Sequence, residues 1–95
     1  MWEKLKDYLK NLPLSLGDRI GLTIKRIRQI TGTHARGIED PVAWSSNMAR
    51  QHTIPAYNTI QEAGYDVAQI ELELDQVKQR HSVIRVTFEK IKDVF

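Results

Sequence analysis

The 95-residue sequence contains no cysteine and no long apolar run. Without cysteine, disulfide bridges, thiolate nucleophiles and zinc-thiolate sites are excluded, and such a composition is typical of a reducing compartment. No apolar stretch approaches the roughly 20 residues that cross a bilayer, and the charged, amphipathic start lacks the apolar centre of a signal peptide. We therefore expect no transmembrane segment, and a protein in the cytoplasm or within an assembled particle rather than one secreted by a signal peptide.

Recognisable catalytic motifs are missing as well. None of the histidines (His34, His52 and His81) has a second histidine or a carboxylate at i, i+4 spacing on a clear helical face. Ser45 lacks the glycine-flanked elbow of an α/β hydrolase, and residues 32–37 lack the ending of a phosphate-binding loop. We therefore predict a protein that is not an enzyme, with no catalytic residue, cofactor or metal site.

The totals predict a single domain, residues 1–95, with a small core. The chain is 41% hydrophobic and 27% charged, as is ordinary for a soluble globular protein, and a core of this size often relies on a partner subunit. The net charge is only +2, but residues 1–53 carry nine Lys and Arg against five Asp and Glu, and residues 54–95 carry five against seven. This asymmetry permits a basic face, or attraction between halves or subunits.

The beginning of the chain predicts an N-terminal helix over residues 1–12. Its apolar side chains recur at intervals of 3, 4 and 3, which places them on one helical stripe: Trp2, Leu5, Leu9 and Leu12. Pro13 ends this helix, because proline disfavours the helical conformation in the residue before it.

Residues 15–63 are predicted to form a helical body. Its first helix begins at Ser15, which can cap together with Asp18, and ends at Gly32. The buried face of that helix is predicted to consist of Leu16, Ile20, Ile24, Ile27 and Ile30 or Thr31. Residues 32–40 are predicted to be a loop, because they contain two glycines.

Two further helices follow in the prediction. The pair Asp40-Pro41 supplies a cap and a proline at the first helical position, which predicts a helix from Pro41 to about His52. A short helix then runs from Pro55 through Ala63, and Gly64 is a good C-terminal stop.

The stretch from residue 67 to residue 89 has two incompatible interpretations. Alternation of apolar and charged residues predicts a β-hairpin followed by a tail, residues 90–95. Heptad spacing instead predicts one long helix, residues 66–95, whose seam includes His81. The hairpin is favoured because Val83, Ile84, Val86 and Thr87 are branched at Cβ, which suits a pleated strand better than a helix.

The hairpin interpretation also predicts a strand register. Pairing Leu74 with Ile84 places apolar residues opposite one another along the inner face, namely Leu72 with Val86 and Ile70 with Phe88. The same register places Glu73 opposite Arg85 on the outer face, which cross-strand energetics reward. The connection between the strands lacks glycine and proline and is long for a hairpin.

The sequence therefore predicts an α+β fold with three to four N-terminal helices followed by a C-terminal antiparallel hairpin; the alternative is all-α. Its predicted function is that of a non-enzymatic protein-protein interaction or assembly module. One form of this function is a structural role in a larger multi-subunit particle such as a phage virion. Two strands alone are marginal in water, so the hairpin is expected to pack on the helices or on another subunit of a homo- or hetero-oligomer. The predicted partner-binding residues are Trp2, Leu5, Leu9, Ile84, Val86, Phe88 and Phe95.

A small helix-turn-helix DNA-binding protein is the alternative function. Two short helices around residue 53 have that layout, and the second would bring Tyr57, Asn58 and Gln61 to the major groove. Arg36 and Arg50 are the candidate phosphate contacts. Against this hypothesis, the second helix has no Arg or Lys, and the chain is not strongly basic.

Overall fold

The computed structural model describes residues 2–32, 38–44, 55–77 and 79–94, with the backbone alone for residues 42, 43 and 55–57. Three α-helices, one short 3-10 helix and three strands are found within these residues. In chain order they are α1 (Trp2–Lys10), β1 (Arg19–Thr23), α2 (Ile24–Thr31), the 3-10 helix (Pro41–Trp44), α3 (Pro55–Glu62), β2 (Tyr65–Asp75) and β3 (Arg80–Lys90).

The strands form one antiparallel sheet in the order β1-β3-β2. The α+β class therefore holds, but the predicted arrangement of three to four N-terminal helices followed by a hairpin is wrong. A strand, β1, lies between α1 and α2, and it pairs with the C-terminal strand β3. The all-α alternative is also wrong, because most of the predicted helix 66–95 forms β2 and β3.

The residues predicted to open a long second helix form a tight turn instead. The Ser15 amide donates to the Asp18 carboxylate at 2.9 Å, as the predicted capping pair requires, and the Asp18 amide donates to the Ser15 carbonyl at 3.0 Å. Gly17, between them, has a φ of 89°, a conformation outside the right-handed helix that glycine adopts readily. The pair therefore closes a turn, and the chain leaves it extended.

The strand β1 ends where α2 begins, at Thr23. The Thr23 hydroxyl accepts a hydrogen bond from the Arg26 amide at 3.1 Å, which satisfies one of the unpaired donors of the first helical turn. The helix α2 therefore starts at Ile24, several residues later than predicted. It ends at Gly32 as predicted, with a φ of 80° and a bond from the Gly32 amide to the Arg28 carbonyl.

The predictions for the other helices have mixed outcomes. The first helix runs from Trp2 to Lys10, and its Leu5 and Leu9 side chains are buried. The helix predicted from Pro41 to His52 is described only as far as Trp44, where it is a 3-10 helix, and its remainder lies outside the described residues. The last helix, α3, begins at Pro55 and ends at Glu62.

The register of β2 against β3 differs from the prediction. Ile70 lies opposite Val86 and Leu72 opposite Val83, and the pairing shifts between residues 67 and 69 and again between 71 and 72. The second shift leaves Ile84 as an extra residue on β3, which is the geometry of a β-bulge. As a result Val83 is buried and Ile84 is 41% exposed, the reverse of the predicted pattern.

The core lies between the helices and one face of the sheet, with residues from every described helix and strand. Trp44 packs its ring edge-on against Phe88, at 6.0 Å between centroids and 61° between planes. The indole Nε1 of Trp44 donates to the Ile38 carbonyl at 2.7 Å, so this large buried side chain has its polar atom satisfied. The buried apolar residues are Leu5, Leu9, Leu22, Ile24, Ile27, Ile38, Trp44, Ile60, Ala63, Tyr65, Val83, Val86 and Phe88.

Gly64 joins α3 to β2 at a position where only glycine fits. Its φ is 88°, and an added Cβ would lie 2.3 Å from the Lys92 carbonyl oxygen. The Gly64 carbonyl accepts hydrogen bonds from the Ile91 and Lys92 amides, so the C-terminal segment is held directly against this residue.

We expect Gly64→Ala to lower the free energy of unfolding by about 3 kcal/mol or more, because backbone strain and a backbone clash add. Gly17→Ala is the matched control: its φ is similar at 89°, but nothing lies within 4 Å of an added Cβ. That control should lose only about 1 kcal/mol. Urea unfolding of both variants measures the difference, and equal losses would contradict the close packing at Gly64.

Tyr65 is fully buried at the start of β2. Its hydroxyl has no hydrogen-bond partner among the described residues, which is unfavourable for a polar group removed from water. Burial, and secondarily the negative charge of Asp18, raises the pKa of Tyr65 above its ordinary 10.0. The unfolded chain therefore loses the phenol proton of Tyr65 at lower pH than the folded chain. The contribution of the protonated phenol to stability is thus present below pH 10 and is lost as the pH rises further.

We expect Tyr65→Phe to leave the free energy of unfolding unchanged or to raise it by up to about 1 kcal/mol at neutral pH. Between neutral pH and about pH 11 the variant should lose less stability than the wild type, because the phenol that ionises on unfolding is gone. Urea unfolding at both pH values tests this. Tyr8→Phe, at a half-buried position, is the control, and an equal effect in both variants would refute the assignment to Tyr65.

Candidate interaction surface

The end of the β2–β3 hairpin extends beyond the rest of the sheet. The strand β1 pairs only with Arg85–Glu89 of β3, so the hairpin residues from Leu72 to Ile84, called the arm below, have no β1 beside them. The molecule measures 42 × 25 × 24 Å. One described backbone bond ties the arm to the body, from the Val83 amide to the Glu39 carbonyl at 2.7 Å.

The arm carries most of the large apolar side chains that are exposed in the described part of the chain. Leu72 is 45% exposed, Leu74 52% and Val77 94%, and Ile84 belongs to the same group. Single exposed apolar residues are normal, but a cluster indicates an interaction site. These four residues share one short segment, which makes the arm the strongest candidate for a binding surface.

An open cleft of about 540 Å³ separates the arm from α2. Its apolar lining comes from Ile24, Leu74, Val83 and Ile84, and its polar lining includes Lys25. At its border the Arg28 guanidinium forms an ion pair with Glu39 at 2.7 Å, with both side chains partly exposed. The cleft therefore mixes apolar surface with charges of both signs, a composition suited to a protein segment rather than to one small charged ligand.

A smaller cleft of about 200 Å³ lies between residues 39–41 and residues 80–82. It brings Glu39 and Asp40 near Arg80 and His81, and His81 is exposed. Within the described residues, no group of three His, Cys, Asp or Glu side chains is placed to hold a metal ion. This second cleft therefore offers charges to a ligand but no preformed coordination site.

The outer edge of β2 is the second feature of this surface. Because β3 lies in the centre of the sheet and β2 at its border, one side of the β2 backbone has no neighbouring strand in the described part of the chain. Edge strands present unpaired N–H and C=O groups that can accept another strand. Glu71 and Glu73, both exposed, lie on this strand among the arm leucines.

Four of the predicted partner-binding residues are corrected by the structure. Leu5, Leu9, Val86 and Phe88 are fully buried, since they point into the core between helices and sheet. Their regular spacing indicates an apolar face, and such a face can pack either into the core or against a partner. In this fold these four side chains are part of the core.

The other three predicted partner-binding residues have different positions. Trp2 is half-buried at the border of the core, and Ile84 is exposed on the arm. Phe95 lies outside the described residues. The structure therefore does not bring the N-terminal helix and the hairpin together as one exposed surface, and Ile84 is the only predicted residue on the arm.

Sequence reasoning missed Leu72, Leu74 and Val77 as surface residues. The two leucines alternate with glutamates, and this pattern predicts a face that packs on the core. They are exposed because the described helices that pack on the sheet do not cover this end of it. The exposure of Val77 could have been predicted, because this residue lies in the connection between the two strands and an apolar residue in a hairpin loop is rarely covered.

The residues of the DNA-binding alternative are not assembled into a site by the described structure. The predicted second helix exists as α3, where Asn58 is exposed and Gln61 donates to the Asp66 carboxylate at 3.4 Å. For Tyr57 only the backbone is described, and Arg36 and Arg50 lie outside the described residues. No described contact favours this alternative.

Comparisons with protein-family models, with curated proteins and with solved structures found no match. Among the described residues, every helix is too short or too polar to cross a membrane.

We expect Leu74→Ala to lower the free energy of unfolding by less than about 1 kcal/mol, because this side chain is already half in water. Leu9→Ala, the matched change at a fully buried position, should cost about 2–5 kcal/mol. Chemical denaturation at low protein concentration measures both. If the two substitutions cost the same, the arm leucines are covered in solution and the exposed surface described above does not exist.

Proposed function

We propose that this protein is a non-enzymatic protein-protein interaction or assembly module that binds its partner through the arm. The observation that carries the proposal is the cluster of exposed apolar side chains at Leu72, Leu74, Val77 and Ile84. They lie beside an open cleft and beside the outer edge of β2, which has no neighbouring strand among the described residues, so apolar contact and backbone hydrogen bonding are available at one place.

The energetics support a partner at this position. Completing the burial of a half-exposed leucine contributes about 1 kcal/mol, so several such side chains together supply a useful share of a binding free energy. A few central apolar residues usually dominate an interface, with neighbouring polar groups excluding water. Glu73, Ser82 and Thr23 line the cleft beside the arm and suit such a polar rim.

A structural component of a larger multi-subunit particle, such as a phage virion, is one form of this proposal. A small sheet with an open edge can be extended across a subunit boundary by a strand from a neighbour. The modest core of a 95-residue chain gains relatively more from such burial than a large domain does. Both features support assembly over action as an isolated monomer.

The test is selection of binding peptides from an unbiased displayed library, using the purified wild-type chain as bait. We expect the selected peptides to bind Leu74→Asp at least about tenfold more weakly, because the substitution places a charge at the centre of the apolar cluster. Leu16→Asp is the matched control, since Leu16 is a comparably exposed leucine, at 57%, outside the arm. Its affinity should stay within about twofold of the wild type.

Failure of this test has a defined form. If light scattering shows a monomer and no peptide is enriched, the chain has no accessible interaction surface and the proposal is wrong. If the selected peptides lose affinity with Leu16→Asp and keep it with Leu74→Asp, the protein binds partners but the arm is not the site.

A further inference from the structure

The charge of β2 is of one sign. Four of its 11 residues are acidic (Asp66, Glu71, Glu73 and Asp75), and none is Lys, Arg or His. The side chains of Asp66 and Asp75 accept hydrogen bonds from nearby amides. Glu71 and Glu73 are exposed and, within the described residues, form neither an ion pair nor a side-chain hydrogen bond. Among the described residues, these two neighbouring carboxylates on the edge strand therefore have no cation paired with them.

The position of Arg85 explains why Glu71 is not neutralised. Arg85 lies opposite Glu71 in the β2–β3 register, where a cross-strand ion pair is expected. Its guanidinium instead lies over Gly21 of β1, so close that an added Cβ there would be 2.6 Å from the Arg85 nitrogen atoms. The side chain thus leans away from β2, and Glu73 has only Ser82 opposite it.

The backbone from Gln69 to Asp75 forms an uninterrupted stretch of edge. The first register shift lies before Gln69, and at the second the extra residue belongs to β3. This stretch extends about 20 Å. Because successive side chains alternate between faces, Glu71 and Glu73 share one face, and Leu72 and Leu74 share the other.

We propose that this edge, Gln69 to Asp75, accepts an extended partner segment in which Lys or Arg alternates with apolar residues. The inference rests on the proposed interaction function and specifies its partner. Paired with β2, such a segment places its cations beside Glu71 and Glu73 on one face. Its apolar side chains then lie beside Leu72 and Leu74 on the other face, and its backbone completes the hydrogen bonds of the edge.

The neighbouring strand β3 presents cationic and apolar residues to the inner side of β2. Arg80 lies opposite Asp75 and Arg85 opposite Glu71, and the Val83 and Val86 side chains of the same strand are buried. A strand that carries both cationic and apolar residues is thus compatible with β2 on its inner side.

Charge also excludes a second copy of β2 as the occupant. Pairing β2 with itself would bring two strands with four carboxylates each, and no cation, to one seam, where like charges are destabilising. The same carboxylates that attract a cationic segment therefore prevent self-pairing of the edge, which is a common protection of edge strands.

The test uses three short synthetic peptides with a fluorescent label. In the first, lysine alternates with valine; in the second, glutamate replaces lysine; in the third, the same lysines and valines are grouped in blocks. Fluorescence anisotropy at low salt should show the alternating lysine-valine peptide binding at least about tenfold tighter than the other two, and more weakly as salt is added. Amide hydrogen exchange should slow within residues 69–75 on binding.

Matched variants separate the edge charges from the net charge of the chain. Glu71→Gln with Glu73→Gln should weaken binding of the alternating lysine-valine peptide by about fivefold or more. Glu3→Gln with Asp7→Asn removes the same charge from exposed positions of α1 and should change the affinity by less than about twofold.

Several results overturn the inference. These are equal binding of the glutamate-valine peptide, protection of amides only outside β2, equal effects of the two double variants, and self-association of the wild type through β2. If the lysine-valine peptide fails while library peptides bind in a Leu74-dependent manner, the edge chemistry is wrong and the interaction function stands. If neither kind of peptide binds, both are wrong.

Discussion

The central strand β3 is paired on both sides, and the two neighbouring strands come from opposite ends of the chain. The β2–β3 hairpin alone would be marginal in water, so its stability depends on β1 and on the helices that pack with it. The connection is reinforced at the end of β3, where the Gly17 amide donates to the Lys90 carbonyl at 2.8 Å and the Lys90 amide donates to the Asp18 carbonyl at 2.9 Å. The Lys90 ammonium also donates to the Leu14 carbonyl at 2.8 Å. The segment between α1 and β1 is therefore held against the end of β3 by hydrogen bonds and is more than a simple linker.

The length of β1 determines where the arm begins. At Thr23 the chain changes from strand to helix, because the Thr23 hydroxyl caps α2 and the capped helix starts at once. The strand cannot extend beyond the partner of Arg85, so among the described residues the rest of the hairpin has no neighbouring strand on that side, although the Val83 amide bonds there to the Glu39 carbonyl. The capping interaction that stabilises α2 by about 1 kcal/mol therefore also sets where the arm begins.

The elements that were predicted correctly have strong local signals. The first helix has a proline beyond it, α2 ends at a glycine, and α3 starts at Pro55 and is followed by Gly64; each of these residues restricts or frees the backbone directly. The strand β1 was missed because Ile20 and Ile24 also fit helical spacing, and five residues are too few for alternation to outweigh it. The register was wrong because two shifts move side chains relative to their partners, and bulges leave no clear mark in a single sequence. Only Ile84 of the arm was predicted, since exposure of the leucines depends on which elements, distant in the chain, pack over that end of the sheet.

Stability and recognition place opposite demands on the arm. A hairpin with buried leucines on its inner face would stabilise the isolated chain, whereas exposed leucines contribute little until a partner covers them. Exposed apolar residues beside a free strand edge also carry a risk of aggregation. The acidic residues of β2 reduce that risk, because two such edges repel each other, and Arg85 does not cancel this charge while it lies over Gly21. Glycine at position 21 permits this position of Arg85, because a side chain there would displace the guanidinium from β1, and the residue opposite Arg85 on β2 is Glu71. The proposed selectivity of the edge thus depends on where the Arg85 guanidinium lies within the sheet.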